Sequence, residues 1–207
     1  EFDMTYVASV LCNGLPEVAV YEEGNRGIRP PVRLYADDAR DLLVLQSDVP
    51  VSPSAAEEFA GCVTGWLDDR DALGIYLSGL AEEKEGIPTM YGVGSAAGEE
   101  TLAEHDIDPP SENGLVSGPT GALLAEASKQ GLDSVGLVVQ ANANFPDPEA
   151  ARVLLTEGID PIAEIEVDTE QLVEQADRIA TAREQLAQQM QQAEEESTRA
   201  QPIGMYQ

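Results

Sequence analysis

Lysine is nearly missing from this chain of 207 residues. Lys84 and Lys129 are the only two, and all basic residues number 11 against 39 acidic ones, for a formal net charge of −28. So few cations leave no basic patch to neutralise phosphates, which argues against direct binding of nucleic acid. Histidine is scarcer still. His105 stands alone between Glu104 and Asp106, in a setting expected at the surface, so a Ser-His-Asp triad or a histidine metal cluster is hard to build. A solvated position at a helix end is expected for it. No apolar run approaches the ~20 residues of a membrane span, and no signal peptide is visible. Cys12 and Cys62 are isolated in mostly apolar surroundings without CxxC spacing. Two buried free thiols in a reducing cytosol are expected. There is no GxGxxG and no Gly-Lys-Ser/Thr, and the carboxylates show no EF-hand spacing. No catalytic residue, metal or cofactor is therefore assigned.

What the chain does have is acid and apolar residues together. With 43% hydrophobic residues grouped in strand-like runs, intrinsic disorder is disfavoured. Acids spread along the whole length argue against a nucleic-acid mimic. The remaining reading is adaptation to molar salt, where the Debye length falls to about 3 Å and carboxylate repulsion is screened. Losing lysine stems also removes apolar surface that salt would drive together. A cytoplasmic, salt-adapted protein follows.

The chain opens without Met, on Glu1-Phe2-Asp3, and enters an apolar run from Tyr6 to Leu11. It reads as cut in mid-domain. Strands are expected at Val18 to Tyr21, Val32 to Ala36 and Leu42 to Gln46, separated by Gly, Pro and Asn turns. Leu42-Leu-Val-Leu45 is continuously apolar, which predicts burial on both faces. Ser54 with Glu57 predicts a capping box. Ala55, Phe59, Cys62, Val63, Trp66 and Leu67 then mark the apolar face of a helix ending near Asp68-Asp69. Further strands are expected at Leu73 to Leu80 and Met90 to Val93, a short helix from Glu99 to His105, and a helix from Ala122 to Gln130. Ser134 to Gln140 is the clearest central strand. Asp147-Pro148 starts a helix, cap followed by Pro, which Gly158 ends or bends. Alternating strands and helices predict an α/β domain over 1–167 with a mixed, mostly parallel sheet, and the several short early strands hint at an antiparallel or mixed portion.

Beyond it, Asp168 with Gln171 opens a long C-terminal helix, 168–201. Leu172, Ala176, Ile179, Leu186, Met190 and Ala193 form a thin seam along it. Residues 202–207 form a flexible tail in which Pro202 and Gly204 precede Met205-Tyr206-Gln207. This triplet makes physical sense as a docking peg. Tyr206 buries a large ring while its hydroxyl seeks a partner, Met205 fills irregular gaps, and the carboxylate of Gln207 can pair with a lysine at a pocket mouth. A frayed terminus without a task is the plain alternative. A second feature is Gly118-Pro119-Thr120-Gly121 at a helix start, whose backbone N–H groups could hold a phosphate or carboxylate. Its plain reading is a tight strand-to-helix connection.

Five stretches, taken in order, resemble the archaeal branch of the proteasome-assembly-chaperone family. They are Asp41-Leu-Leu-Val-Leu-Gln-Ser-Asp48, Tyr76-Leu-Ser-Gly79, Met90-Tyr-Gly-Val-Gly94, Asn113-Gly-Leu-Val-Ser-Gly-Pro-Thr-Gly121 and Asn144-Phe-Pro-Asp-Pro148. The resemblance spans roughly Asp41 to Val173. It implies a three-layer αβα fold akin to nucleoside phosphorylases, homo-oligomers (trimer to pentamer) and no catalysis. Some archaeal members carry a hydrophobic-Tyr-any tail that enters pockets between α-subunits of the 20S proteasome, and that pattern maps onto Met205, Tyr206 and Gln207. Members usually begin with a strand and Gly-rich turn before the segment matching Tyr6, an opening absent here. The leading expectation is a non-enzymatic proteasome assembly chaperone or interacting factor. The rivals are an enzyme or small-ligand-binding protein of nucleoside-phosphorylase-like fold working at residues 118–121, and a purely structural oligomer.

Overall fold

A computed structural model describes residues 2–82, 86–142, 146–175, 178 and 179. In chain order the strands are β1 (Thr5–Ser9), β2 (Val20–Tyr21), β3 (Ile28–Arg29), β4 (Val32–Asp37), β5 (Leu42–Ser47), β6 (Gly74–Ala81), β7 (Met90–Ser95) and β8 (Ser134–Ala141). The helices are α1 (Ala56–Asp68), α2 (Gly98–Glu104), α3 (Gly118–Gln130), α4 (Pro148–Val153) and α5 (Asp160–Ala163), with a π-helical turn at Leu154–Ile159 between the last two.

The body is organised around β8, a strand buried along its first six residues. Its flanks are β6, running parallel, and β7, running antiparallel. Alternation along the strand sends Val135, Leu137 and Val139 to one face. There Val135 and Leu137 meet Leu102 of α2, Ile107 and the π turn, while Val139 meets Ala150 and Val153 of α4. On the opposite face Tyr76 of β6 packs with Phe59, Ala60 and Val63 of α1, with Leu123 and Ala127 of α3, and with Val32 of β4. Helices thus cover both faces of a three-stranded sheet. Burying each Phe, Leu or Val here stabilises by roughly 1.5–3 kcal/mol.

The early strands pair antiparallel, as their shortness hinted, but the pairing as a whole is not mostly parallel. Among the described residues β6–β8 is the one parallel pair, whereas β1–β4, β2–β3, β4–β5 and β7–β8 are antiparallel. Connection length explains β4–β5: only residues 38–41 separate them, too few for the crossover that parallel neighbours need. The apolar run in β5 is likewise not buried on both faces. Among the described residues β5 is an edge strand, paired only to β4, and Leu43 and Val44 are exposed.

Helix boundaries show a similar mixture. The capping box at α1 is not formed: its N-cap is Ala55, with no side-chain cap, and the Ser54 hydroxyl lies 3.0 Å from that of Ser52. The Asp147-Pro148 start is formed as expected. The Asp147 carboxylate accepts from the N–H of Ala150 at 3.1 Å and of Asn142 at 2.9 Å. Gly158 does not end the helix. The chain widens into the π turn, and the missing side chain lets residue 158 press against Leu137 and Met90, where a Cβ would collide with Leu137. Farther on, the Asp168 carboxylate accepts from the Glu170 N–H at 2.9 Å, and residues 170–175 are helical. Arg178 and Ile179 are helical as well, and the other residues of the expected long helix, including Ala176, Leu186, Met190 and Ala193, lie outside the described residues. No helix among the described residues is long and apolar enough to cross a membrane.

Candidate interaction surfaces

Gly118, Pro119, Thr120 and Gly121 come together as the first turn of α3, with Ser117 as N-cap. Thr120 does not aim its hydroxyl proton outward: it donates to the Leu77 carbonyl of β6 at 2.9 Å. At Gly121 a Cβ would run into the Val116 carbonyl, so only glycine lets the entering chain pass that close. The Gly121 N–H is itself directed at the Ser117 carbonyl, 3.3 Å away. The expected strand-to-helix connection is not found, because α2 and a coil segment precede α3. These contacts describe a close-packed entry of that coil into the helix, with one potential anion ligand already committed to the sheet. The other assigned residues, Met205, Tyr206 and Gln207, lie outside the described residues.

The expectation of two free buried thiols is overturned. Cys12 and Cys62 are joined as a disulfide, with Cα atoms 6.5 Å apart. Cys62 is on the exposed side of α1. Of the expected apolar stripe, Ala55, Phe59 and Val63 are buried and Leu67 packs against the core, while Cys62 falls outside it and a polar residue lies inside. Thr64 is fully buried, its hydroxyl satisfied by the Ala60 carbonyl at 2.8 Å. The true inner face is therefore Phe59, Ala60, Val63 and Thr64. Trp66 is only half-buried. The Arg70 guanidinium covers its ring at 3.8 Å and donates to its carbonyl at 2.9 Å.

Two ionic anchors hold the β1–β4–β5 sheet. Arg33, buried in β4, pairs with Asp48 and donates to the Tyr35 hydroxyl at 2.9 Å and the Pro30 carbonyl at 2.8 Å. The hydrogen bond to Asp48 raises its pKa further, so it stays charged. At the other end burial pushes the Asp37 carboxyl upward. Hydrogen bonds from Arg40 (2.6 Å) and from the N–H groups of Asp3 (3.2 Å) and Ala39 (3.0 Å) outweigh that and hold it below its usual value. Arg40 also stacks 4.7 Å from the Phe2 ring centre. These groups are spent on structure.

Tyr76 is the group whose environment is most visible to titration. Burial pushes its phenol from 10.0 up to about 12. The unfolded phenol ionises first, so the stability tied to the neutral buried ring is intact below pH 10. It is lost as pH rises towards 12, by about 2–3 kcal/mol. An alkaline urea series should show that loss, and Tyr76→Phe should flatten it; a wild-type curve with no decline above pH 10 contradicts the buried neutral phenol.

His105 caps the C-terminus of α2, its N–H on the Thr101 carbonyl at 3.2 Å. The large apolar side chains left open lie mostly on the first third of the chain, among them Leu11, Tyr21, Ile28, Leu43 and Val44, with Leu115 ahead of α3. Sequence periodicity could not find them, since an exposed Ile in a short strand looks the same as a buried one.

Comparison with known proteins places this architecture. An uncharacterised protein of Methanocaldococcus jannaschii is 29% identical over 168 residues, covering 77% of this chain and 65% of that protein, just under two thirds of its length. Among solved structures, Pyrococcus furiosus PbaA, described as an archaeal homolog of proteasome-assembly chaperone, superposes with a TM-score of 0.77 at 24% identity over 94% of this chain and 81% of that one. Pyrococcus furiosus PbaB, described as an archaeal proteasome activator, gives 0.74 at 17% identity over 89% and 82%. A protein of unknown function from Thermoplasma acidophilum gives 0.72 at 21% identity over 95% and 80%. The PAC2 family model matches residues 1–187. This mixed α/β chain belongs to the PAC2 family.

Proposed function

We propose that the protein is a non-enzymatic, homo-oligomeric proteasome assembly chaperone or proteasome-interacting factor. It docks onto the α-subunits of the 20S particle through Met205-Tyr206-Gln207. The observation that carries this reading is family membership over residues 1–187, with a fold shared with proteins described as a proteasome-assembly-chaperone homolog and a proteasome activator. The same reading takes the body as a three-layer, nucleoside-phosphorylase-like domain that works in a salt-rich cytoplasm, with a long helix from 168 giving the tail its reach.

The chemistry of the tail fits that task. A Tyr ring and a Met side chain give a small, adaptable apolar anchor. One such anchor binds weakly, because ordering it costs conformational entropy. Three to five copies on one oligomer facing several pockets on one ring gain through effective concentration. Tyr206→Ala should therefore lower co-purification with the cognate 20S particle at least tenfold in molar salt, while circular dichroism stays unchanged. Equal recovery of the particle with Tyr206→Ala would sink the proposal.

A further inference from the structure

The segment between β1 and β4 is almost all surface. From Pro16 to Ile28 every residue but Val20 is exposed. Its middle forms only β2 and β3, paired Val20 with Arg29 and Tyr21 with Ile28. Its hydrogen bonds stay local. The Val18 N–H reaches the Pro16 carbonyl (3.0 Å), Asn25 N–H the Glu22 carbonyl (3.1 Å), Gly27 N–H the Asn25 side chain (2.9 Å) and Arg29 the Glu22 carboxylate (3.0 Å). Each of the two strands packs to any extent only on the other. A lone two-stranded ribbon is marginal at best in water. Yet this one displays an apolar cross-strand pair, with Tyr21 80% and Ile28 73% exposed. Its charge is also out of keeping with the chain. Residues 18–29 hold two Glu and two Arg and are neutral, where the whole carries −28.

A second surface has matching character. β5, Leu-Leu-Val-Leu-Gln-Ser, contains no charged residue. Its outer edge has no strand partner among the described residues, with Leu43 38% and Val44 42% exposed. Sheets ordinarily guard such an edge with lysine, proline, a bulge or a covering loop, because it is a template for pairing with another chain. In a protein that repels its own copies almost everywhere else, two neutral apolar surfaces are where copies can meet.

We propose that the β2–β3 hairpin is an exchange arm that covers the edge strand β5 of a second copy of this chain. Made head to tail, one arm on the next copy's edge, the contact is heterologous, and repeating it closes a ring or extends a filament. Because the contact is neutral while the surrounding surfaces are acidic, assembly strengthens as salt screens the repulsion. The inference rests on the homo-oligomeric reading above and says where copies touch.

The test is mass by size exclusion with light scattering, on the full chain in molar KCl. The wild type is expected as a multimer. Tyr21→Ser/Ile28→Ser (arm) and Val44→Lys (edge) should each fall to monomer mass with circular dichroism retained. An equimolar mixture of the two should recover a dimer, because one intact arm then meets one intact edge. A monomeric wild type overturns the oligomer reading and the arm with it. A multimeric wild type whose arm variant keeps the same mass overturns the arm alone. Monomeric variants that fail to pair on mixing overturn the arm-to-edge contact. Should a variant lose its fold, amide exchange on the wild type decides: protection at residues 21, 28, 43 and 44 must rise with protein concentration, and protection that does not change overturns the proposal.

Discussion

Moved from molar KCl into roughly 0.01 M salt, the protein should lose its cooperative thermal transition and its native circular dichroism. The Debye length grows from about 3 Å to about 30 Å over that change, so carboxylates that ignore one another in molar salt begin to repel across the whole body. With a net charge of −28 on 207 residues, self-repulsion opposes compaction everywhere. Few ion pairs are available to offset it, because basic residues are so scarce. Several bases are moreover committed to local pairs, such as Arg29 with Glu22, Lys129 with Glu126 and Arg152 with Glu149. A domain with a net stability of about 5–15 kcal/mol cannot absorb such a change. Refolding on return of KCl should be substantial, since the defect is electrostatic. A transition that survives in low salt at the same midpoint would reject salt adaptation and leave the acidity to be explained by a partner.

Cys62→Ser should cost about 3–4 kcal/mol in molar salt. The bridge to Cys12 closes a loop with a sequence separation of 50, and the chain-entropy account gives that magnitude for a loop of this size. It ties the segment after β1 to α1, where Leu15 joins the core formed by Phe59 and Val63. For a chain of this length the melting point should drop by roughly 10 °C. Urea unfolding in molar KCl reads the effect directly, and reduction of the wild type should reproduce it. Identical midpoints for wild type, Cys62→Ser and reduced protein would show that the bridge does not constrain the unfolded chain.

Much of the architecture was legible where a local signal decides the outcome. β8 announces itself through continuous apolar residues, and the Asp147-Pro148 start of α4 through a cap and a fixed φ. Each expected strand is found, within a few residues at most. Failures came where the deciding contact is distant in sequence. The Cys12–Cys62 bridge and the Thr120 hydrogen bond to Leu77 join residues 50 and 43 positions apart, and no local pattern records that proximity. The face of α1 is legible at Ala55, Phe59, Val63 and Leu67 but not at Cys62, which is exposed, nor at Thr64, which is buried behind a hydrogen bond to its own helix. The apolar run in β5 was read as doubly buried, although the same composition serves an edge strand awaiting a cover. Strand direction is legible in the short early strands, whose pairs are antiparallel, but not at β7–β8, which is antiparallel where strands alternating with helices suggest parallel pairing.

The family and fold narrow the function, but the docking claim stands on three residues. The most direct measurement is a binding isotherm for the cognate 20S particle in molar KCl, using the full chain and the same chain lacking Met205, Tyr206 and Gln207. Saturable binding by the full chain, lost without those residues while circular dichroism and oligomer mass stay the same, is the predicted result. Equal binding by both chains would contradict tail docking and move the contact to the folded body.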